Sequence, residues 1–481
     1  MKKIIILSLA VTGIFLFFSC NKFLDIKPVS NGVADNNTND TILYKNAEEV
    51  EAALAAAYSD FKNEYYQLDY YLNGDAQSDD AYAGADNPSI FQIDDLALDA
   101  TNSNVSRDWG YLYSTIGKTN GVILNINKVT DPLLTADRKK QIIGEASFIR
   151  AFMFFQLVRS WGDCPLQLEY FKSFDITFID RMFLPKSPAA DIYKQIVADL
   201  EVAKANVANS YPNKGFATKG AINTLLAYVY ATIEPHDWTK VNSYCDEVIA
   251  GGYSLLPNYR DLWDNKHKNS SEAIFEINFT GGSTDGNWGT KMFRGLDWKK
   301  FNIPSNDLVA AFDAENDTVR KKSSIIFVDV TGHWSDVHYP QTQYPFLNKY
   351  PNFAEGSDND YILYRLADVL LLKAEALNEG AQVTEAAAIV NQIRTRAKLP
   401  NTTAADQASM RLAIEKERRL ELAFEGHRWW DLKRTGRAIP VMNSVTFNGQ
   451  TLYNLVQDRL VWPIPQAELD KNSKLVQNPG Y

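Results

Sequence analysis

Two pairs of adjacent carboxylates, Asp79-Asp80 and Asp94-Asp95, have the side chains that cleave glycosidic bonds, one carboxyl serving as acid and a second as base or nucleophile. Chain neighbours usually point apart, and the fold sets the separation that decides this chemistry. Both pairs are therefore read first as solvated loop charges. His333, Asp336 and His338 are near enough in sequence to share a metal ion, but their spacing matches no standard site. Asp358-Asn359-Asp360 lacks the remaining oxygens of a calcium loop. Gly117-Lys118-Thr119 has the ending of a phosphate loop, yet Leu112 stands where its first glycine belongs. The sequence carries neither a Gly-x-Ser-x-Gly elbow nor a His-Glu-x-x-His pair. No catalytic residue, metal ligand or cofactor is assigned.

The densest charged stretch, Glu415-Lys416-Glu417-Arg418-Arg419-Leu420-Glu421, reads as architecture. A helical wheel places Met410, Ala413, Ile414, Leu420 and Phe424 on one apolar face, with Glu417 in its middle. An unpaired buried carboxylate costs several kcal/mol, so Glu417 must meet a cation; Arg394 or Arg396 on a neighbouring helix is the expected partner.

The elements that position such residues are mostly helices. Ile192, Ile196, Leu200, Ala203 and Val207 form one stripe, behind Ser187 as N-cap and Pro188 in the first turn. Ile142, Ala146, Ile149, Phe152 and Met153 repeat the pattern. Further helices are expected near 46–62, 110–128, 218–233, 238–251, 361–379, 384–397 and 406–425. Several pair across short polar turns, in units of about 34 residues like a degenerate tetratricopeptide array. The best strand signals are Ala273–Phe279 and Ser324–Val330. The fold class is mainly α. Stretches 66–109 and 280–360 read as irregular, and long loops on a rigid scaffold are where binding concentrates.

The 481 residues are 45% hydrophobic and 22% charged, which excludes wholesale disorder. A net charge of −10 argues against a nucleic-acid partner. The 10 Trp, 24 Tyr and 25 Phe offer more flat ring surface than a core needs. Met1-Lys2-Lys3 followed by the apolar run Ile4–Phe18 is a secretory signal, the run of about 15 residues being too short to span a bilayer. Ser19-Cys20 resembles a bacterial lipoprotein cleavage site, although Phe17 and Phe18 replace its usual leucine and small residue. Lipidation is assigned to Cys20, where two or more acyl chains give stable attachment. Losing residues 1–19 takes the net charge to −12. Residues 20–40 read as lipidated cysteine and tether. No later segment is read as crossing a bilayer, and the body is expected to be soluble. Cys164 and Cys245 are expected as buried free thiols, the alternative being a disulfide between them in an oxidising compartment.

A longer pattern runs through the chain. It begins Cys20-Asn21-Lys22-Phe23-Leu24-Asp25 and continues with Trp109–Ile126, Phe148-Ile149-Arg150-Ala151 and Trp161-Gly162-Asp163-Cys164-Pro165-Leu166. Tyr361–Asn378, Val390–Pro400 and Glu417-Arg418-Arg419-Leu420-Glu421-Leu422-Ala423-Phe424-Glu425-Gly426-His427-Arg428-Trp429-Trp430-Asp431-Leu432 follow, then Trp462-Pro463-Ile464-Pro465 and Gln477-Asn478-Pro479-Gly480-Tyr481. This pattern resembles the SusD/RagB family of Bacteroidetes outer-membrane lipoproteins. The resemblance implies a helical body on tetratricopeptide units over 41–481, with an N-terminal half to about 250, a variable loop region of about 251–360 and a C-terminal half from about 361. It also implies a place at the outer membrane, facing the cell exterior, and a partner, a SusC-like TonB-dependent transporter that receives oligosaccharides or, in some branches, peptides.

Those motifs belong to the scaffold and do not identify the ligand. Sugar rings present apolar C–H faces to aromatic planes, with hydroxyls taken by polar side chains at the rim. Segment 280–300 is suited to display such planes, because Gly281, Gly282, Gly286, Gly289 and Gly295 frame Trp288, Phe293, Arg294 and Trp298. The candidate ligand residues are Trp288, Trp298, Trp334 and Tyr82 for stacking, with Asp80, Arg294 and Asn287 at the rim. Tyr65-Tyr66 and Tyr70-Tyr71 are read as packing. The leading expectation is a non-catalytic glycan-binding lipoprotein; the alternatives are a peptide binder, an exported glycoside hydrolase and a scaffold that holds enzymes at the membrane.

Overall fold

Nine helices of twelve or more residues dominate the described residues: α1 Ala47–Ser59, α2 Ser103–Asn125, α3 Ala136–Trp161, α4 Ala189–Asn206, α5 Lys219–Tyr230, α6 Trp238–Ile249, α7 Leu366–Glu379, α8 Val383–Arg396 and α9 Gln407–Glu421. The structure is a computed structural model that describes residues 43–84, 87–295 and 300–481; Cys20 and the tether lie outside them. Polar side chains start most helices. Asn46, Thr135, Thr218 and Asp237 each accept a backbone N–H of the first turn, and Asp406 with Ser409 makes a reciprocal capping box. The start expected at Ser187 shifts: Pro188 occupies the cap of α4 and offers no side-chain acceptor.

Each helix packs on the next, α2 on α3, α3 on α4, α5 on α6, α6 on α7, and α7 on both α8 and α9. The stripe Ile192, Ile196, Leu200 and Ala203 is buried, as its spacing requires. By length and composition α3 could cross a membrane, contrary to the expectation for the body. Its most apolar window is 89% buried, which makes it the central core helix.

Among the described residues strands pair only in twos: β1 (Ala81–Gly84) with β3 (Lys300–Pro304), β2 (Ala273–Ile277) with β6 (Tyr361–Arg365), β4 (Ile325–Val328) with β5 (Tyr344–Leu347), and β7 (Thr446–Phe447) with β8 (Gln450–Thr451), all antiparallel. The helix expected from 361 therefore begins only at Leu366. The two stretches read as irregular are also more ordered than expected. Asn102 caps α2, so that helix starts at 103, while Ser305 and Asp317 cap short helices Asn306–Ala314 and Thr318–Ser324. Tyr65–Asp69 and Leu72–Ala76 are π-helical turns; Tyr65 and Tyr66 in the first, and Tyr70 and Tyr71 between the two, are all buried as packing.

Glu417 is fully buried, as the helical wheel requires, and accepts from Arg394 Nη1 at 3.0 Å. A second cation comes from the stretch read as irregular: Arg320 Nη1 donates to Glu417 at 2.6 Å and to Glu421 at 3.2 Å. Arg396 bonds Glu272 and Glu421 instead, and Arg365 joins Glu272, Glu421 and Glu425. Burial pushes the Glu421 carboxyl up, but Arg396, Arg365 and Arg320 together bring it down to about 2.

The C-terminal segment returns to α3. Trp462 N–H donates to Ser160 O at 2.8 Å, Trp161 Nε1 donates to Pro463 O at 2.9 Å, and Asn478 Nδ2 donates to both Trp161 O and Trp462 O. Cys164 and Cys245 are buried free thiols, as expected.

Candidate functional site

The glycine-framed loop leaves β2 at Phe279 and is built by close backbone approach. Gly281 and Gly282 both have φ of 85°, and Gly281 N–H donates to Asp285 O at 3.0 Å, closing a tight turn. A Cβ on Gly289 would lie 1.8 Å from Gln67 O, so only glycine lets the loop reach the π-helical segment. Asn287 is the clamp between these turns. Its backbone pairs with Ser357 in both directions, its Oδ1 accepts from Gly289 N–H at 3.0 Å, and its Nδ2 donates to Asn359 O at 3.0 Å.

This clamp presents Trp288 and Arg294 at the surface, each half-buried. Trp288 N–H donates to Gln67 Oε1 at 2.9 Å, while its ring leans on the edge of the core. The Arg294 guanidinium lies 4.6 Å from the centroid of the Phe353 ring, and partial burial lowers its pKa. Among the described residues no carboxylate forms an ion pair with Arg294. Trp298 lies outside the described residues.

Trp334 sits elsewhere, on the connection between β4 and β5, and is 41% exposed. Lys300 Nζ is 5.7 Å from its ring centroid. The same connection folds over β1, stacking His338 on Tyr82 with centroids 3.8 Å apart.

Three of the expected ligand residues are enclosed. Asp80 is 1% exposed because Arg419 Nε, from α9, donates to its Oδ1 at 2.7 Å; burial pushes its carboxyl up to about 6 against that arginine's pull. Tyr82 is covered by His338, and Asn287 is spent on the clamp. The reading of Asp79-Asp80 as solvated charges is corrected as well, since Asp79 takes a two-pronged hydrogen bond from Arg428. Asp94 is buried, accepting from Ala83 N–H at 2.7 Å and from the Tyr453 hydroxyl at 3.1 Å, whereas Asp95 is exposed. His338 and Asp336 hydrogen-bond each other, and the second Asp336 oxygen accepts from the Tyr344 hydroxyl, so these side chains serve the loop. Asp360 takes Phe279 N–H, Asn278 and Lys268.

Sequence reasoning missed a cavity of about 520 Å³ at the foot of the glycine-framed loop. Tyr58, Phe216, Asn278, Thr284 and the Lys62–Asp285 pair, 2.5 Å apart, line it. Phe216 is 40% exposed and meets Tyr58 edge-on at 5.2 Å. The Asn278 Oδ1 atom is buried without a hydrogen-bond partner. Apolar rings beside a few convergent polar groups, at this size, are the usual makeup of a small-molecule site. The aromatic half had no local signal, because Tyr58 and Phe216 meet only through the fold. Another cavity, of about 430 Å³, lies among arginines that already hold carboxylates, such as Arg434 with Glu375 and Arg411 with Glu379.

A model described as the SusD family matches residues 288–481, and a model described as starch-binding associating with outer membrane matches residues 22–231. A SusD-like protein of Formosa agariphila is 28% identical, with 100% of this chain and 99% of that protein covered. Among solved structures, a laminarin-binding SusD-like protein is 27% identical with a TM-score of 0.74, covering 91% of this chain and 100% of its own. A SusD superfamily protein of Bacteroides vulgatus shares the fold at a TM-score of 0.77 and 22% identity, covering 90% of this chain and 99% of its own.

Proposed function

Because this chain belongs to the SusD/RagB family, we propose that it is a lipid-anchored glycan-binding protein of the outer membrane, facing the cell exterior, that captures oligosaccharide without cleaving it and passes it to a SusC-like TonB-dependent transporter. The observation that carries the binding role is the glycine-framed loop, which presents half-buried Trp288 and Arg294 and whose Thr284 and Asp285 line a cavity with exposed Phe216. Its rings offer stacking planes, while Arg294, Asn278 and the Lys62–Asp285 pair offer donors and acceptors to hydroxyls. The laminarin-binding neighbour and the starch-binding family description support a carbohydrate as the ligand class. The hydrolase alternative loses its most evident carboxylates, since Asp79, Asp80 and Asp94 are committed to internal hydrogen bonds.

Of the residues expected at the ligand, Trp288, Arg294 and Trp334 keep surface enough to serve, and Trp298 stays a candidate on sequence grounds. Affinity electrophoresis against a panel of polysaccharides tests this. Retention by one or more of them is expected, and Trp288→Ala should weaken it about tenfold, equivalent to ~1.4 kcal/mol. The half-buried ring makes a small fall in melting temperature acceptable. A large fall with retention intact would place Trp288 in the packing and return the ligand to another surface.

A further inference from the structure

Four of the large apolar side chains exposed among the described residues fall within six positions: Phe174 at 63%, Ile176 at 65%, Phe178 and Ile179. They tip an excursion, residues 166–186, between α3 and α4. The excursion is built and held. Asn120 Nδ2 donates to Gln167 O and Glu169 O at its base, Asp175 caps the Thr177 N–H, Arg181 pairs with Glu169, and Lys474 Nζ holds Asp180 at 2.8 Å. Val476, two residues beyond Lys474, is 69% exposed as well. Large exposed apolar side chains gathered on an anchored loop mark a place where something other than water is met.

What meets it follows from where the chain enters the body. Tyr44 begins the compact unit, and its hydroxyl and the Tyr170 ring both press on Gly121: a Cβ there would lie 3.1 Å and 3.0 Å from them. Tyr170 stands only four residues before Phe174. Only 23 residues separate Cys20 from Tyr44. The chain from Cys20 therefore joins the body beside the base of this loop, at Tyr44. Glu169, Asp175 and Asp180 balance Lys172, Arg181 and Lys186, so the apolar tip carries no net charge into an interface.

We propose that the 171–183 loop is a second membrane contact, laying Phe174, Ile176, Phe178 and Ile179 into the lipid surface and fixing the orientation of the body on its anchor. The proposal rests on the Cys20 anchor of the reading above. Its ligand class is the acyl–headgroup boundary of a bilayer, where such side chains settle.

The test uses the full acylated chain in vesicles of phosphatidylethanolamine and phosphatidylglycerol. An environment-sensitive NBD label is placed at Phe174→Cys, at Ile176→Cys or, as control, at exposed Leu412→Cys on α9; the buried Cys164 and Cys245 do not compete for it. Fluorescence at 174 and 176 should rise at least about twofold with a blue shift relative to detergent-free soluble controls, and that at 412 should not. Mass spectrometry of the Cys20 peptide from the same sample reports the anchor separately. An acylated chain with unchanged signals at 174 and 176 overturns the lipid contact alone. An unacylated chain overturns the anchor reading and the proposal with it. A rise that appears only with a co-purified membrane barrel overturns the lipid contact in favour of a protein one.

Discussion

Glu417→Ala is expected to cost about 3–5 kcal/mol of folding stability, because it strips a buried carboxylate from cations that cannot reach water. Arg320 is fully buried and would keep only Asp317 and Glu421; its Nη2 already lacks a partner. Arg394 would keep Glu315 and the Pro400 carbonyl. Denaturant unfolding of wild type and variant measures the loss. A midpoint equal to wild type would mean that the helix face bearing Glu417 is wetter than this packing has it. The substitution should leave polysaccharide retention per folded molecule unchanged, since none of the described residues 280–295 of the glycine-framed loop bonds to Glu417, Arg320 or Arg394. It therefore separates scaffold from site.

Asp94→Asn should instead stabilise the body at alkaline pH. Burial pushes the Asp94 carboxyl up to about 7, while the unfolded chain holds it near ~3.9. The folded state thus binds the extra proton between those values. Its contribution is fully present below about 4 and is lost as pH rises through about 7. A shift of this size is worth about 4 kcal/mol at pH 8, as an upper figure. Asparagine imitates the protonated acid: its oxygen can accept from Ala83 N–H and its amide can donate to the Tyr453 hydroxyl oxygen. Melting curves from pH 4 to pH 8 should show the variant overtaking wild type as pH rises, and parallel curves would mean Asp94 ionises freely. Asp69 and Asp80, both pushed up to about 6 chiefly by burial, titrate alike in the two proteins and cancel from the difference.

The contrast between Glu417 and Asp80 shows which parts of the molecule are legible in the chain alone. Glu417 stands on a helix whose period places it among Met410, Ile414 and Leu420, so its burial and its need for a cation follow from spacing. Arg394 is nameable because a helix pair brings it there. Arg320 is not, although Asp317 ahead of it is an ordinary cap signal, because its segment lacks a long apolar period and reads as irregular. Asp80 has no periodic neighbours, and the arginine that claims it is 339 positions further along the chain. For the site, glycine spacing points to the loop that carries Trp288 and Arg294. Composition does not tell which rings face outward, because Tyr82 is stacked under His338, itself delivered by the distant β4–β5 connection. Phe216 and the exposed 171–183 tip give no local sign either: an apolar residue left outside looks the same in sequence as one within.

The stitching of Trp462 and Asn478 onto the end of α3 sets an order on maturation. Trp161 emerges from the ribosome some three hundred residues before the carbonyl its indole will hold, so the central helix stays unsealed until that later segment has been made. Contacts of such sequence separation close slowly. A polypeptide whose central helix is closed only by so distant a segment keeps that helix open to rearrangement until the segment arrives.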